Sequence, residues 1–197
     1  MDAEAAARAV LSGEATVQPK FGCDRIEAIR VMRVARVGAM KSRIAAINAL
    51  KSLVISAPIE LRSALAPNTS RCRLIKTCAA FRVDETRVSN PLVASKYAMR
   101  SIARRILVLD KEIAEIDKQL TELVHQTAPR TLASFGMGIE TTAAILVAIG
   151  DNPLRLRSEA SLARLFGVAP IPASSGKTNR HRLHRGGVRS SSSVRKL

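Results

Sequence analysis

Residues 101–124 read SIARRILVLDKEIAEIDKQLTELV. The apolar residues Ile102, Ile106, Leu109, Ile113, Ile116, Leu120 and Leu123 step by 4, 3, 4, 3, 4 and 3 positions. That is the period of a helix that buries one stripe against another helix, and a half-buried strand would alternate by two instead. Lys111, Glu112, Glu115, Asp117 and Lys118 stand beside the seam and suit the flanks of a coiled coil. Two partners satisfy such a seam: an earlier helix of the same chain folded back antiparallel, or the same segment of a second copy.

Outward from the seam, Ala128-Pro129 ends the helix on one side, because the residue before proline avoids the helical region. On the other side lies a stretch from Pro58 to Pro91, broken at Pro67-Asn68 and Asn90-Pro91, with short helical pieces. Before it, Asp24 is a good N-cap for a long helix running to Ala57, just ahead of Pro58. Its apolar positions Val37, Met40, Ile44, Ile47 and Val54 follow three-four spacing. Between Arg25 and Lys51 seven cations (Arg25, Arg30, Arg33, Arg36, Lys41, Arg43, Lys51) face one acid, Glu27, so seven minus one leaves +6. One face is expected to pack and another to be strongly basic. Ala3 to Leu11 is Ala-rich and helix-prone, stopping at Ser12-Gly13, and Glu14 to Cys23 looks like a linker.

The composition agrees with helices. Hydrophobic residues make up 47% of the 197 residues but aromatics only 3%, with no Trp, so the core is built from Ala, Leu, Ile and Val. The expected fold is all-α: long coiled-coil helices followed by a compact helical domain with a helix-hairpin-helix. The expected segments are 1–23 (N-terminal remnant and linker), 24–128 (basic helical region), 129–187 (serine-bearing domain) and 188–197 (basic tail).

Thirty-two Lys and Arg against 16 Asp and Glu leave a net charge of +16. A polyanion is the natural partner. With four Phe and one Tyr, stacking is expected to add little to its binding. Three cysteines, Cys23, Cys72 and Cys78, form no CxxC pair and read as reduced thiols. The start Met1-Asp2-Ala3-Glu4 carries no apolar leader, and the longest apolar run, Ala143 to Ile149, is too short to span a bilayer, which points to the cytoplasm.

The chemistry concentrates near the C-terminus. Leu132 to Ala144 (LASFGMGIETTAA) has the form of a helix-hairpin-helix. Gly136 and Gly138 permit a tight turn and close backbone approach, so amides at the next helix start can meet a DNA phosphate regardless of sequence. An ordinary turn between packed helices fits the same residues. Ser158 is a candidate cap for the helix carrying Leu162, Leu165 and Phe166. Next come Gly167-Val168-Ala169-Pro170-Ile171-Pro172-Ala173-Ser174-Ser175-Gly176-Lys177-Thr178, a polar loop in which a serine beside a cation can act on a phosphodiester if something activates it. Loop serines are more often turn residues. Gly176-Lys177-Thr178 echoes a phosphate-binding loop, but the first glycine of that motif would fall on Ile171. Arg180, Arg182 and Arg185 suit phosphates, while His181 and His184, flanked by arginines and far from any carboxylate, make a poor metal pair.

Taken together, Gly136-Met137-Gly138-Ile139 through Thr142-Ala143, then Ala148-Ile149-Gly150-Asp151, Phe166-Gly167-Val168-Ala169-Pro170, Ser174-Ser175-Gly176-Lys177, and His181-Arg182-Leu183 with Arg185-Gly186-Gly187 resemble the IS110/IS116/IS902 family of serine-dependent insertion-sequence transposases. The basic region from Arg25 to about Leu123 is similar to the family as well. The resemblance implies a DNA recombinase guided by a structured noncoding RNA. Such an enzyme has a RuvC-like domain whose acidic DEDD tetrad binds a divalent metal (Mg2+), a coiled coil that brings copies together, and a C-terminal domain with a catalytic serine. It aligns Ser174 with the nucleophile, with Ser175 as the choice one residue on. From the glycine turn and the basic run, DNA contacts are expected at Gly136, Gly138, Lys177, Arg180, Arg182 and Arg185. Asp2, within Asp2-Ala3-Glu4-Ala5-Ala6, matches the fourth acid of the tetrad as a lone, non-functional remnant, so no cofactor is expected on this chain and the chain alone is expected not to recombine DNA. The tail Val188 to Leu197 departs from the pattern. The rival expectation is a non-catalytic helix-hairpin-helix nucleic-acid-binding protein.

Overall fold

The computed structural model describes residues 3–14, 22, 24–67, 70–152, 156, 158–174 and 178–183. Helices supply nearly all the regular structure: α1 (Ala3–Leu11), α2 (Arg25–Ser56), α3 (Ile59–Leu65), α4 (Arg71–Ala79), a 3-10 turn (Glu85–Arg87), α5 (Pro91–Thr127), α6 (Pro129–Leu132), α7 (Ile139–Ile149) and α8 (Glu159–Leu165). Strands β1 (Pro170–Pro172) and β2 (His181–Leu183) form a two-stranded antiparallel sheet. The fold is all-α, as the apolar spacing requires. Local chemistry sets its boundaries. Pro58 stands as the N-cap of α3 directly after α2, and Ser70 caps α4 by accepting the Arg73 amide at 3.2 Å. The Asn90 carboxamide accepts the Leu92 amide at 2.9 Å as Pro91 opens α5, and Pro129 opens α6.

The chain divides into two compact units, Met32–Gln119 and Met1–Val31 with Leu120–Leu197. In Met32–Gln119 the core gathers Ala46, Ile47 and Leu50 of α2, Leu61 and Leu65 of α3, Ile75 and Cys78 of α4, and Met99, Ala103 and Ile106 of α5. Two ion pairs set the register of α2 against α5: Arg36 Nε donates to Asp117 Oδ1, and Arg43 Nε donates to Asp110 Oδ1. Numbers rise by seven on one helix as they fall by seven on the other, so the helices run antiparallel and the pairs recur every two turns. Within this unit the partner of α5 is therefore α2 of the same chain.

The buried faces differ from the simplest reading of the spacing. On α5 the most buried residues are Met99, Ala103, Ile106, Ile113, Leu120 and Val124, and the remaining seam residues Ile102, Leu109, Ile116 and Leu123 are half-buried beside them. On α2, Val37 and Ile44 are exposed, although their spacing suggested a packing face. The packing side instead runs through Met40, Arg43, Ile47, Leu50 and Val54, with Arg36 a turn earlier. Arginine occupies it because Asp110 and Asp117 of α5 stand opposite, and the guanidinium stems cover apolar surface while their heads pair. The packing and basic faces of α2 thus overlap. Cys78 is fully buried, and burial pushes its thiol up to about 11, which keeps it protonated at neutral pH, whereas Cys72 is exposed.

In the other unit the buried apolar residues described are Ile29, Leu120, Val124, Ala128, Ala143, Ala144, Ala148, Phe166 and Ala169, with Thr142 and Asn152 buried beside them in sequence. Three alanines on α7 let that helix pack closely, and α6 lies against it. Ser158 caps α8, its hydroxyl accepting the Ser161 amide at 3.3 Å. Among the described residues no helix is long and apolar enough to cross a membrane.

Candidate nucleic-acid interface and serine hairpin

The segment read as a polar loop contains a β-hairpin. Pro170 pairs with Leu183, Ile171 with Arg182 and Pro172 with His181. A Pro-Ile-Pro strand is tolerated because a two-stranded ribbon leaves alternate amides unpaired, so prolines two apart can fall where no donor is needed. The pairing continues past the strands, where the Ala173 amide donates to the Arg180 carbonyl at 2.8 Å.

Ser174 closes this ribbon. Its Oγ donates to Asn179 Oδ1 at 3.0 Å and accepts the Arg180 amide at 3.2 Å, with the Arg180 carbonyl a longer second acceptor at 3.4 Å. Asn179 was not singled out from the sequence. Its signal is its place five residues after Ser174, which becomes meaningful only once a hairpin joins the two. These partners orient the Ser174 hydroxyl, yet a carboxamide oxygen is no base at neutral pH and the other contacts are backbone. The arrangement fixes an exposed hydroxyl and supplies one N–H toward negative charge on it. Among the described residues no side chain hydrogen-bonded to this hydroxyl is a base at neutral pH.

Arg180 and Arg182 lie exposed on the same hairpin, so the structure brings two predicted phosphate-binding cations together with Ser174. The other predicted residues of this cluster, Ser175, Lys177 and Arg185, lie outside the described residues, as does Asp2.

The glycine turn forms between α6 and α7. Gly136 has φ +78°, a left-handed conformation that side chains resist, and this explains a glycine there. Gly138 differs. It is the N-cap of α7 at φ −83°, and a Cβ added to it would meet nothing within 4 Å, so neither backbone conformation nor packing demands glycine. Glu140 in the first turn of α7 works against an anion there.

The acidic tetrad that the resemblance implies calls for several carboxylates around Mg2+. Among the described residues no group of three or more His, Cys, Asp or Glu comes together to hold a metal. The described part of the chain therefore does not fit such a site.

Compared with known proteins, residues 130–194 match the family model described as Transposase IS116/IS110/IS902 family. The matched span covers the glycine turn, α7, α8 and the serine hairpin, and takes in part of the 188–197 tail. No curated protein and no solved structure matches the chain.

Proposed function

We propose, taking the match of residues 130–194 to the IS116/IS110/IS902 transposase family as the premise, that this chain is the DNA-gripping, serine-bearing part of an insertion-sequence transposase. That match is the observation that carries the proposal, and the +16 charge and the cationic hairpin support it. In strand exchange a serine Oγ–phosphorus bond would form as a phosphorus–sugar oxygen bond breaks, with the serine proton ending on the departing sugar oxygen. The resemblance assigns that role to Ser174, with Ser175 one residue on. The described contacts of Ser174 are neutral amide groups, so in this reading activation comes from the acid-bearing domain of a full-length transposase, and the chain by itself holds DNA without joining to it. A structured guide RNA and a cytoplasmic location belong to the same proposal.

The same neutral contacts favour a second reading, a non-catalytic nucleic-acid-binding protein. The two separate on a covalent protein–DNA adduct, sought on denaturing gels with donor DNA, magnesium and the cognate RNA. The chain alone should give none. With the acid-bearing domain of a family transposase added, an adduct lost in Ser174→Ala supports the recombinase, and loss only in Ser175→Ala moves the nucleophile by one residue. No adduct in either setting supports the non-catalytic reading, and an adduct from the chain alone overturns its proposed inactivity.

Homo-oligomerisation is proposed to use the outer side of α2, where Val34, Val37 and Ile44 are exposed, since α2 itself covers the α5 seam within Met32–Gln119. Sedimentation across a concentration series should show association that Val34→Glu/Ile44→Glu removes. A monomer at every concentration contradicts it.

A further inference from the structure

Phe135 is 100% exposed, the extreme among the large hydrophobic residues described. It sits directly before Gly136, whose left-handed backbone turns the chain, and three residues before Gly138, which opens α7. A whole phenyl ring in water contributes nothing to the core, and leaving it there forgoes the burial that phenylalanine normally obtains. Its neighbours are polar or small: Ser134 and Gly136 are both exposed, and Arg130 of α6 is an exposed cation in the same connection. The ring therefore has no folding role among the described residues, and it stands on the turn that the fold presents outward.

We propose that Phe135 is a stacking platform for a nucleobase, holding an unpaired or unstacked base beside the Gly136 turn. The inference rests on the nucleic-acid-binding reading above and adds the contact that reads bases rather than backbone. A phenyl face stacks on any base, so the contact is tolerant of sequence but demands a base free of its duplex partners.

The test uses labelled single-stranded oligothymidylate, a duplex of equal length, and the full chain. Phe135→Ala should weaken single-strand binding about tenfold while duplex binding, dominated by phosphates, changes far less. Phe135→Leu keeps apolar bulk without a π face and should resemble Ala. Phe135→Trp should keep wild-type affinity, and because the chain has no other Trp, quenching of its emission on binding reports the stack directly. Full exposure of the side chain means that none of these variants is expected to disturb folding, and circular dichroism verifies it. Wild-type single-strand affinity in Phe135→Ala or in Phe135→Leu, or unquenched Trp emission at saturation, overturns the stacking proposal alone, and wild-type affinity in Leu but not in Ala would show that apolar bulk rather than a π face makes the contact. If the wild-type chain binds neither nucleic acid, the DNA-gripping function falls as well.

Discussion

Replacing Ile106 by Asp should abolish cooperative unfolding of Met32–Gln119. Ile106 is fully buried in the cluster that joins α2, α3, α4 and α5. Removing its side chain costs about 2–5 kcal/mol in lost burial and residual cavity. The new carboxylate adds several more, because burial without a partner disfavours its charge, and Asp110 lies one turn on as a like charge already engaged by Arg43. The total approaches the whole net stability of a domain, roughly 5–15 kcal/mol. Thermal melting by circular dichroism is the measurement. Val108 on the same helix is 65% exposed, and Val108→Asp should melt within a few degrees of wild type. Ile106→Asp melting like Val108→Asp would show that α5 does not pack on the face described.

Affinity for DNA should collapse with salt. A protein with about six to ten phosphate contacts loses roughly 10³–10⁵ in affinity between ~50 and ~200 mM salt, because each neutralised phosphate releases condensed counterions. A net charge of +16, with Arg130, Arg180 and Arg182 exposed in the transposase-matched segment, is the basis for expecting a loss of that order here. Fluorescence anisotropy across a salt series reads the slope directly. Affinity that barely moves would mean that apolar or stacking contacts dominate, and the electrostatic account of the hairpin face would be wrong.

The all-α class was legible because the spacing from Ile102 to Leu123 has one structural solution, and the break after α2 and both ends of α5 because proline permits few alternatives. The packing face of α2 was harder to read. Apolar spacing pointed to Val37 and Ile44, while the true face carries Arg36 and Arg43, whose burial makes sense only with Asp110 and Asp117 opposite. A hydrophobic pattern counts residues on one helix and is blind to charges supplied by another. The hairpin was missed for a related reason. Two prolines argue against a strand until the strand is known to have a single neighbour, and Asn179 has no visible link to Ser174 until the ribbon folds. The contrast between Gly136 and Gly138 likewise appears only in the backbone, where one glycine answers to conformation and the other does not.

The central claim is that the serine hairpin is the DNA face, and anisotropy of a labelled duplex with Arg180→Ala/Arg182→Ala tests it most directly. Both side chains are exposed, and the clasp on Ser174 uses the Arg180 backbone, so the hairpin should survive the change. Arg71→Ala/Arg73→Ala on α4 removes the same charge from the Met32–Gln119 unit and serves as the control. The account predicts a salt slope shallower by about two and affinity at least about tenfold weaker for the hairpin variant, with a clearly smaller loss for the control. Equal losses in the two variants, or none in the hairpin variant, would contradict it.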